Sequence, residues 1–150
     1  MASGKGNNNA IGFLQLIFQG TISASYATLA LNATSGPATN LYVSLHNANP
    51  GATGGQTTSE TAYTNYARVA VPRAITTGWT ASGELIENAI AITFPACGVT
   101  GDTLTYVGIG LSAFPTNGVL LYFGQLTSPL IISNGITPSI AINALTITES

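Results

Sequence analysis

The chain is short of almost everything that polar chemistry requires. Its 150 residues include three Lys and Arg, five Asp and Glu, one His, one Cys and one Trp. Charged residues make up 5% of the total, against about 25% in an average soluble domain. Three basic residues leave no footprint from which to displace nucleic-acid counterions, so direct DNA or RNA binding is not expected. One Cys97 excludes an intramolecular disulfide, and with a single His and a single Asp no convincing metal-ligand set exists. Uninterrupted apolar runs stay below the ~18 residues of a membrane-spanning helix, and no membrane partner is expected. A charge deficit of this size with a formal net charge of −2 leaves an isolated monomer poorly protected against self-association. It suits a protein whose surface is largely covered in an assembly.

What is present is Gly, Thr, Asn and short aliphatic runs. Residues 1–9, MASGKGNNN, have nothing to bury and read as a flexible N-terminal arm. The Lys5 and apolar Ala10–Phe18 order superficially fits a secretory leader, but Gly12 and Gln15 interrupt it, and the segment is taken as part of the mature chain. Asn9–Gln19 suits either a short Asn-capped helix or a strand, and the helix is preferred.

Strand signals follow at Thr21–Leu31, Leu41–Leu45, Tyr63–Val71, Gly78–Ala81, Glu84–Ile86 and Ala89–Phe94. They continue at Thr103–Leu111, Val119–Gln125, Leu130–Ile132, Ser139–Ile142 and Ala144–Thr148, all separated by Gly, Pro and Asn turns. This spacing predicts an all-β fold: an antiparallel β-sandwich or jelly roll with a short N-terminal helix or arm, one domain over 10–150. The Val119–Phe123 run is apolar on both faces. It is expected either to lie between layers or to pack on another subunit.

The scarce polar residues are concentrated between Leu45 and Trp79, which holds the only His, both Arg, Glu60 and the only Trp. Catalytic readings of the chain fail on missing partners. Gly108-Ile109-Gly110-Leu111-Ser112-Ala113 matches a loose dinucleotide pattern, but a turn rather than a helix follows it. Glu84 and Glu87 could be drawn as a glycosidase pair, yet they look like a solvated strand end. His46 with a hydroxyl nucleophile and Glu60 lacks a nucleophile elbow, and is better read as a polar residue closing the 41–45 strand. No catalytic residue, cofactor or metal is assigned. His46, Asn49, Glu60, Tyr63, Tyr66, Arg68 and Arg73 are instead candidate partner contacts, since Arg and Tyr favour interface hot spots.

LYVSLHNANPGATG (Leu41–Gly54), QTTSETAYTNYARVAV (Gln56–Val71) and GWT (Gly78–Thr80) resemble a family of small tailed-phage virion proteins. Phe94-Pro95-Ala96 and Ser133–Pro138 look like further family features. The resemblance implies a non-enzymatic virion structural protein built on a β-sandwich and acting as an oligomer. The reading preferred from the sequence is a capsid decoration or cement protein on the outer head, a trimer or dimer bridging major capsid protein subunits after synthesis in the host cytoplasm. The alternative is a tail-fibre or receptor-binding component.

Overall fold

The computed structural model describes residues 7–21 and 38–148. Strand dominates, the sheets are antiparallel and one short helix lies near the N-terminus. The fold is therefore all-β, consistent with a β-sandwich. The chain divides into two compact units, each discontinuous in sequence. One comprises Met1–Thr39, Pro72–Ala91 and Ile140–Ser150, the other Asn40–Val71 and Ile92–Ser139.

In the first unit the N-terminal segment is helical, as preferred, and begins within the expected arm. Helix α1 (Asn7–Leu14) widens into a π turn at Gln15–Gln19 and stops at Gly20, whose φ of 64° suits glycine. Its terminal carbonyls lack partners along the helix. Arg73 supplies them, donating to the carbonyl oxygens of Leu16 and Ile17, and to Ala38 at 3.0 Å. Strands β3 (Trp79–Ser82) and β4 (Leu85–Asn88) form a hairpin across Gly83, and β9 (Thr146–Thr148) joins the far side of β4. Trp79 and Phe18 meet edge to face at 4.7 Å and anchor this core with Leu14 and Ile86. Buried Asn88 ties β4 to the following turn. Its amide donates to the carbonyls of Ile90 and Ala141 and accepts from the Leu145 N–H, all at 2.8 Å.

The second unit is built on a four-stranded sheet in the order β2 (Val69–Pro72), β1 (Asn40–His46), β6 (Asp102–Gly110), β7 (Leu120–Ile132). Leu41, Val43 and Leu45 alternate onto one buried face of β1, where Val43 and Leu45 stand opposite the buried Ile109 and Val107 of β6. The sheet's other face is also closed. Ser44 stands opposite Gly108, and the missing glycine side chain leaves room for the His46 ring. A small two-stranded sheet, β5 (Ile92–Thr93) with β8 (Ser139–Ile140), completes the set.

The strand expected at Thr21–Leu31 lies almost wholly outside the described residues, and two further strand expectations change markedly. Tyr63–Val71 is strand only from Val69, because Asn65 takes a φ of 76° and a Tyr66 N–H to Tyr63 carbonyl bond closes a turn there. Val119–Gln125 and Leu130–Ile132 are one strand rather than two. Between them, Leu126–Pro129 stand opposite Thr105 alone, so the interruption read as a turn is a wide bulge.

Candidate functional site

Two loops of the second unit meet beside the end of β1: residues 47–59, which follow β1, and residues 111–119, between β6 and β7. Local chemistry shapes the first. Asn49 accepts the Gly51 N–H through its side-chain oxygen at 2.8 Å, turning the chain at Pro50-Gly51. Thr58 Oγ1 accepts the Gly55 N–H at 3.1 Å and closes the next turn.

Side chains from both strand and loop then lock the two segments together. Gln56 is fully buried; its N–H donates to the Gly118 carbonyl and its Oε1 accepts the Ser112 N–H at 2.8 Å. Its amide packs so closely on Gly110 that a Cβ there would lie 2.2 Å from Gln56 Cδ. Asn117 returns the contact by accepting the Thr57 N–H at 3.4 Å.

Arg68 sits at the centre of this arrangement. Its Nε and Nη2 donate to the two oxygens of Glu60, each at 2.7 Å, and the side chains are 0% and 4% exposed. Nη1 reaches the carbonyls of Ser112, Ala113 and Thr116 at 2.8, 3.2 and 2.8 Å. One guanidinium thus neutralises a buried carboxylate and fixes three successive points of the second loop, which the planar fork of Arg suits. The ring of Phe114 lies 6.0 Å from Arg68 Cζ and meets Tyr66 edge to face at 5.3 Å.

Tyr66 completes the hub. Its hydroxyl donates to Glu60 Oε1 at 2.8 Å and accepts the Leu45 N–H at 3.1 Å. Burial, then the Glu60 charge, push its phenol far above the usual range. Tyr63 stacks edge to face on Tyr66 and donates to the Pro95 carbonyl at 2.8 Å; burial pushes its phenol up to about 12.

His46 closes β1 as expected from the sequence. A carbonyl can only accept, so the contact of Nδ1 with Thr58 O at 2.9 Å puts the proton on Nδ1 and leaves Nε2 to accept from Ser44 Oγ, also at 2.9 Å. Desolvation lowers the imidazole pKa and outweighs the opposing pull of that backbone bond. The Ser44–His46 contact has the distance of a nucleophile and base, but both residues are 0% exposed and His46 is oriented by a backbone carbonyl rather than by Glu60. It fastens the strand to the loop.

The structure therefore gathers His46, Glu60, Tyr63, Tyr66 and Arg68 into one cluster, while Arg73 belongs to the other unit and caps its helix. Of the seven sequence candidates Asn49 alone is exposed; His46, Tyr63, Tyr66 and Arg68 are buried, and Glu60 and Arg73 are bound internally. These side chains, expected from the sequence as partner contacts, are engaged within the chain itself, Asn49 excepted. In a chain with so few charges, each Arg finds its acceptors among the chain's own carboxylates and carbonyls. What the cluster presents outward is the pair of loops it braces. Glu84 and Glu87, expected to be solvated, are half-buried at the β3–β4 turn and within β4. Gly108 and Gly110 lie within β6 as sheet residues, as read from the sequence.

Sequence reasoning missed Gln56, Phe114 and Asp102. Asp102 is the chain's only Asp, a signal that was available. It accepts from Thr61 Oγ1 at 2.7 Å and from the Thr103 N–H at 2.8 Å.

Residues 21–148 match the family model described as Podophage GP4 fiber I protein gp80, and the chain belongs to this family of tailed-phage structural proteins. No curated protein matches the chain.

Proposed function

We propose that the chain is a non-enzymatic fibre component of a podophage-type virion, using the braced loops 47–59 and 111–119 as a preformed contact surface. The family match supports the fibre reading. The single structural observation that carries the contact role is the Arg68 fork, which fixes Glu60 and three carbonyls of the second loop at once. Loops ordered before binding lose less conformational entropy when they meet a partner.

A second reading is a capsid decoration or cement protein bridging major capsid subunits on the outer head surface. The 5% charge content favours it, because such a surface suits extensive coverage in a lattice. Binding only the assembled shell would stabilise that shell by mass action. Both readings expect a homo-oligomer. Quantitative staining of purified virions separates them. Copies matching the tail symmetry support the fibre assignment, whereas copies matching the capsid lattice overturn it in favour of decoration. Ala52→Lys together with Thr53→Lys, at two exposed positions of the first loop, should leave a folded protein that no longer enters or decorates particles.

A further inference from the structure

The sequence holds two Asn-Gly pairs, Asn117-Gly118 and Asn134-Gly135. Such a pair is chemically labile. The backbone nitrogen of the glycine lies within reach of the asparagine side-chain carbon, so attack is intramolecular. Glycine also lacks the Cβ that hinders this approach in other residues. Both asparagines are exposed, so solvent reaches each.

The fold treats the two pairs differently. The Gly135 N–H donates to the Cys97 carbonyl at 2.8 Å, and this bond must break before the nitrogen can lose its proton and attack. Gly118 is held through its carbonyl oxygen, which accepts the Gln56 N–H at 3.0 Å. Among the described residues nothing accepts the Gly118 N–H itself. The electrophiles differ as well. Asn117 Oδ1 accepts the Thr57 N–H at 3.4 Å, a donor placed on the oxygen where negative charge develops as nitrogen adds to Cγ. Among the described residues no hydrogen bond reaches the Asn134 side chain.

We infer that Asn117 is a site of spontaneous deamidation, and that the fold directs the reaction there in preference to Asn134. The Gly118 nitrogen gives its proton to solvent base and bonds to Asn117 Cγ. The Cγ–Nδ2 bond then breaks, and the amide nitrogen takes a proton from water and leaves as ammonia, closing a cyclic succinimide. Water opens either ring carbonyl. Addition at Cγ leaves an ordinary chain with aspartate at 117, and addition at the backbone carbonyl leaves isoaspartate, with the main chain rerouted through the side chain. Across both steps one water is consumed and one ammonia released, without redox change.

Its effect on binding rests on the contact role proposed for loops 47–59 and 111–119. Neither loop carries a charged residue, so the new carboxylate is the first there, and it makes the formal net charge of −2 one unit more negative. Isoaspartate also shifts Gly118, whose carbonyl holds Gln56. The contact surface is thereby set to change with age.

Incubating the purified chain at mildly alkaline pH, folded or in guanidinium chloride, tests this. Peptide mass spectrometry reads the amide-to-acid conversion, and enzymatic methylation reads isoaspartate. In the folded chain Asn117 should convert about threefold to tenfold faster than Asn134, the gain from a free rather than a bonded amide. In guanidinium the two rates should converge. Asn117→Gln, which would have to close a larger ring, should abolish the fast component and leave conversion at Asn134 unchanged. Equal or faster conversion at Asn134 in the folded chain overturns the inference, as does a ratio unaltered by unfolding or an Asn117 that stays intact. If Asn117→Gln fails to fold by circular dichroism, the folded and unfolded rates of the wild type decide alone. Asn117→Asp, which carries the charge without the chemistry, tests the contact role separately and should lose most of its incorporation into particles. Wild-type incorporation would remove the contact role and leave the deamidation rates as they stand, so the two failures are distinct.

Discussion

Arg68 and Glu60 meet through two parallel hydrogen bonds of 2.7 Å, and neither side chain has more than 4% of its surface exposed. Eight residues apart, they close a loop that contains the Asn65 turn, with Tyr66 bonded to the same carboxylate from inside it. A buried ion pair is a weak source of net stability, but losing one partner strands the other charge.

Glu60→Ala is therefore expected to destabilise the protein by about 3–5 kcal/mol, seen as a fall in Tm of roughly 10 °C. Arg68→Lys should also be poorly tolerated, because one ammonium cannot serve both carboxylate oxygens and three carbonyls. Limited proteolysis gives the more specific readout: cleavage in 111–119 should accelerate in Arg68→Lys more than in variants of equal stability altered in the other unit. Equal cleavage would show that Arg68 does not hold this loop.

Gly110→Ala should destabilise by about 1–3 kcal/mol through overpacking, since the new methyl would lie 2.2 Å from Gln56 Cδ. Gly108→Ala should behave alike, its methyl falling 2.6 Å from His46 Nε2 and 2.7 Å from Ser44 Oγ. Gly124→Ala meets open space and serves as the control on the neighbouring strand. Denaturant midpoints of the three variants measure this, and a Gly110→Ala midpoint equal to that of Gly124→Ala would refute the close packing.

Stability should fall at both ends of the pH scale. The folded His46 imidazole takes up a proton at lower pH than the unfolded one, so its contribution is full above about 6.5 and is lost as pH falls toward the lowered folded value. Tyr63 and Tyr66 act in the opposite sense. Their raised phenol pKa values mean the unfolded chain releases those protons first, so stability declines as pH rises above about 10. Urea midpoints at stepped pH test both limbs. His46→Gln should flatten the acid limb, and tyrosinate absorbance should show Tyr63 and Tyr66 ionising late, a late component that Tyr66→Phe reduces.

Arg73→Ala should remove the donors that serve the carbonyls of Leu16, Ile17 and Ala38. A loss of about 1–2 kcal/mol is expected, from those bonds and from the cation at the helix C-terminus. Amide exchange should accelerate first in Leu14–Gln19. Exchange that accelerates evenly through the chain would place the role of Arg73 elsewhere.

The sequence was legible where the cause of structure is local. Leu41, Val43 and Leu45 alternate, and β1 forms there; β6 likewise follows its own pattern. The turn at Asn65 was missed because Tyr63–Val71 has strand-like composition while one residue adopts a left-handed backbone. The sequence pattern divides β7 in two because a bulge and a turn both attract Thr, Ser and Pro. The burial of Arg68 was not legible at all. Its loop acceptors lie 44–48 residues downstream, and only the pairing of β1 with β6 brings them near. Burial of the family of polar residues around Glu60 could thus be assigned only once the strand partners were known.

His46 is the chain's only histidine, and histidine is the side chain that ordinarily changes charge near neutrality. Here it is sealed inside the fold and kept neutral. The outer surface is thereby left without an imidazole to respond to mild acidification. Under the proposed contact role, attachment through loops 47–59 and 111–119 would not depend on the charge of an exposed imidazole, and mild acid would act on the fold rather than on the contact.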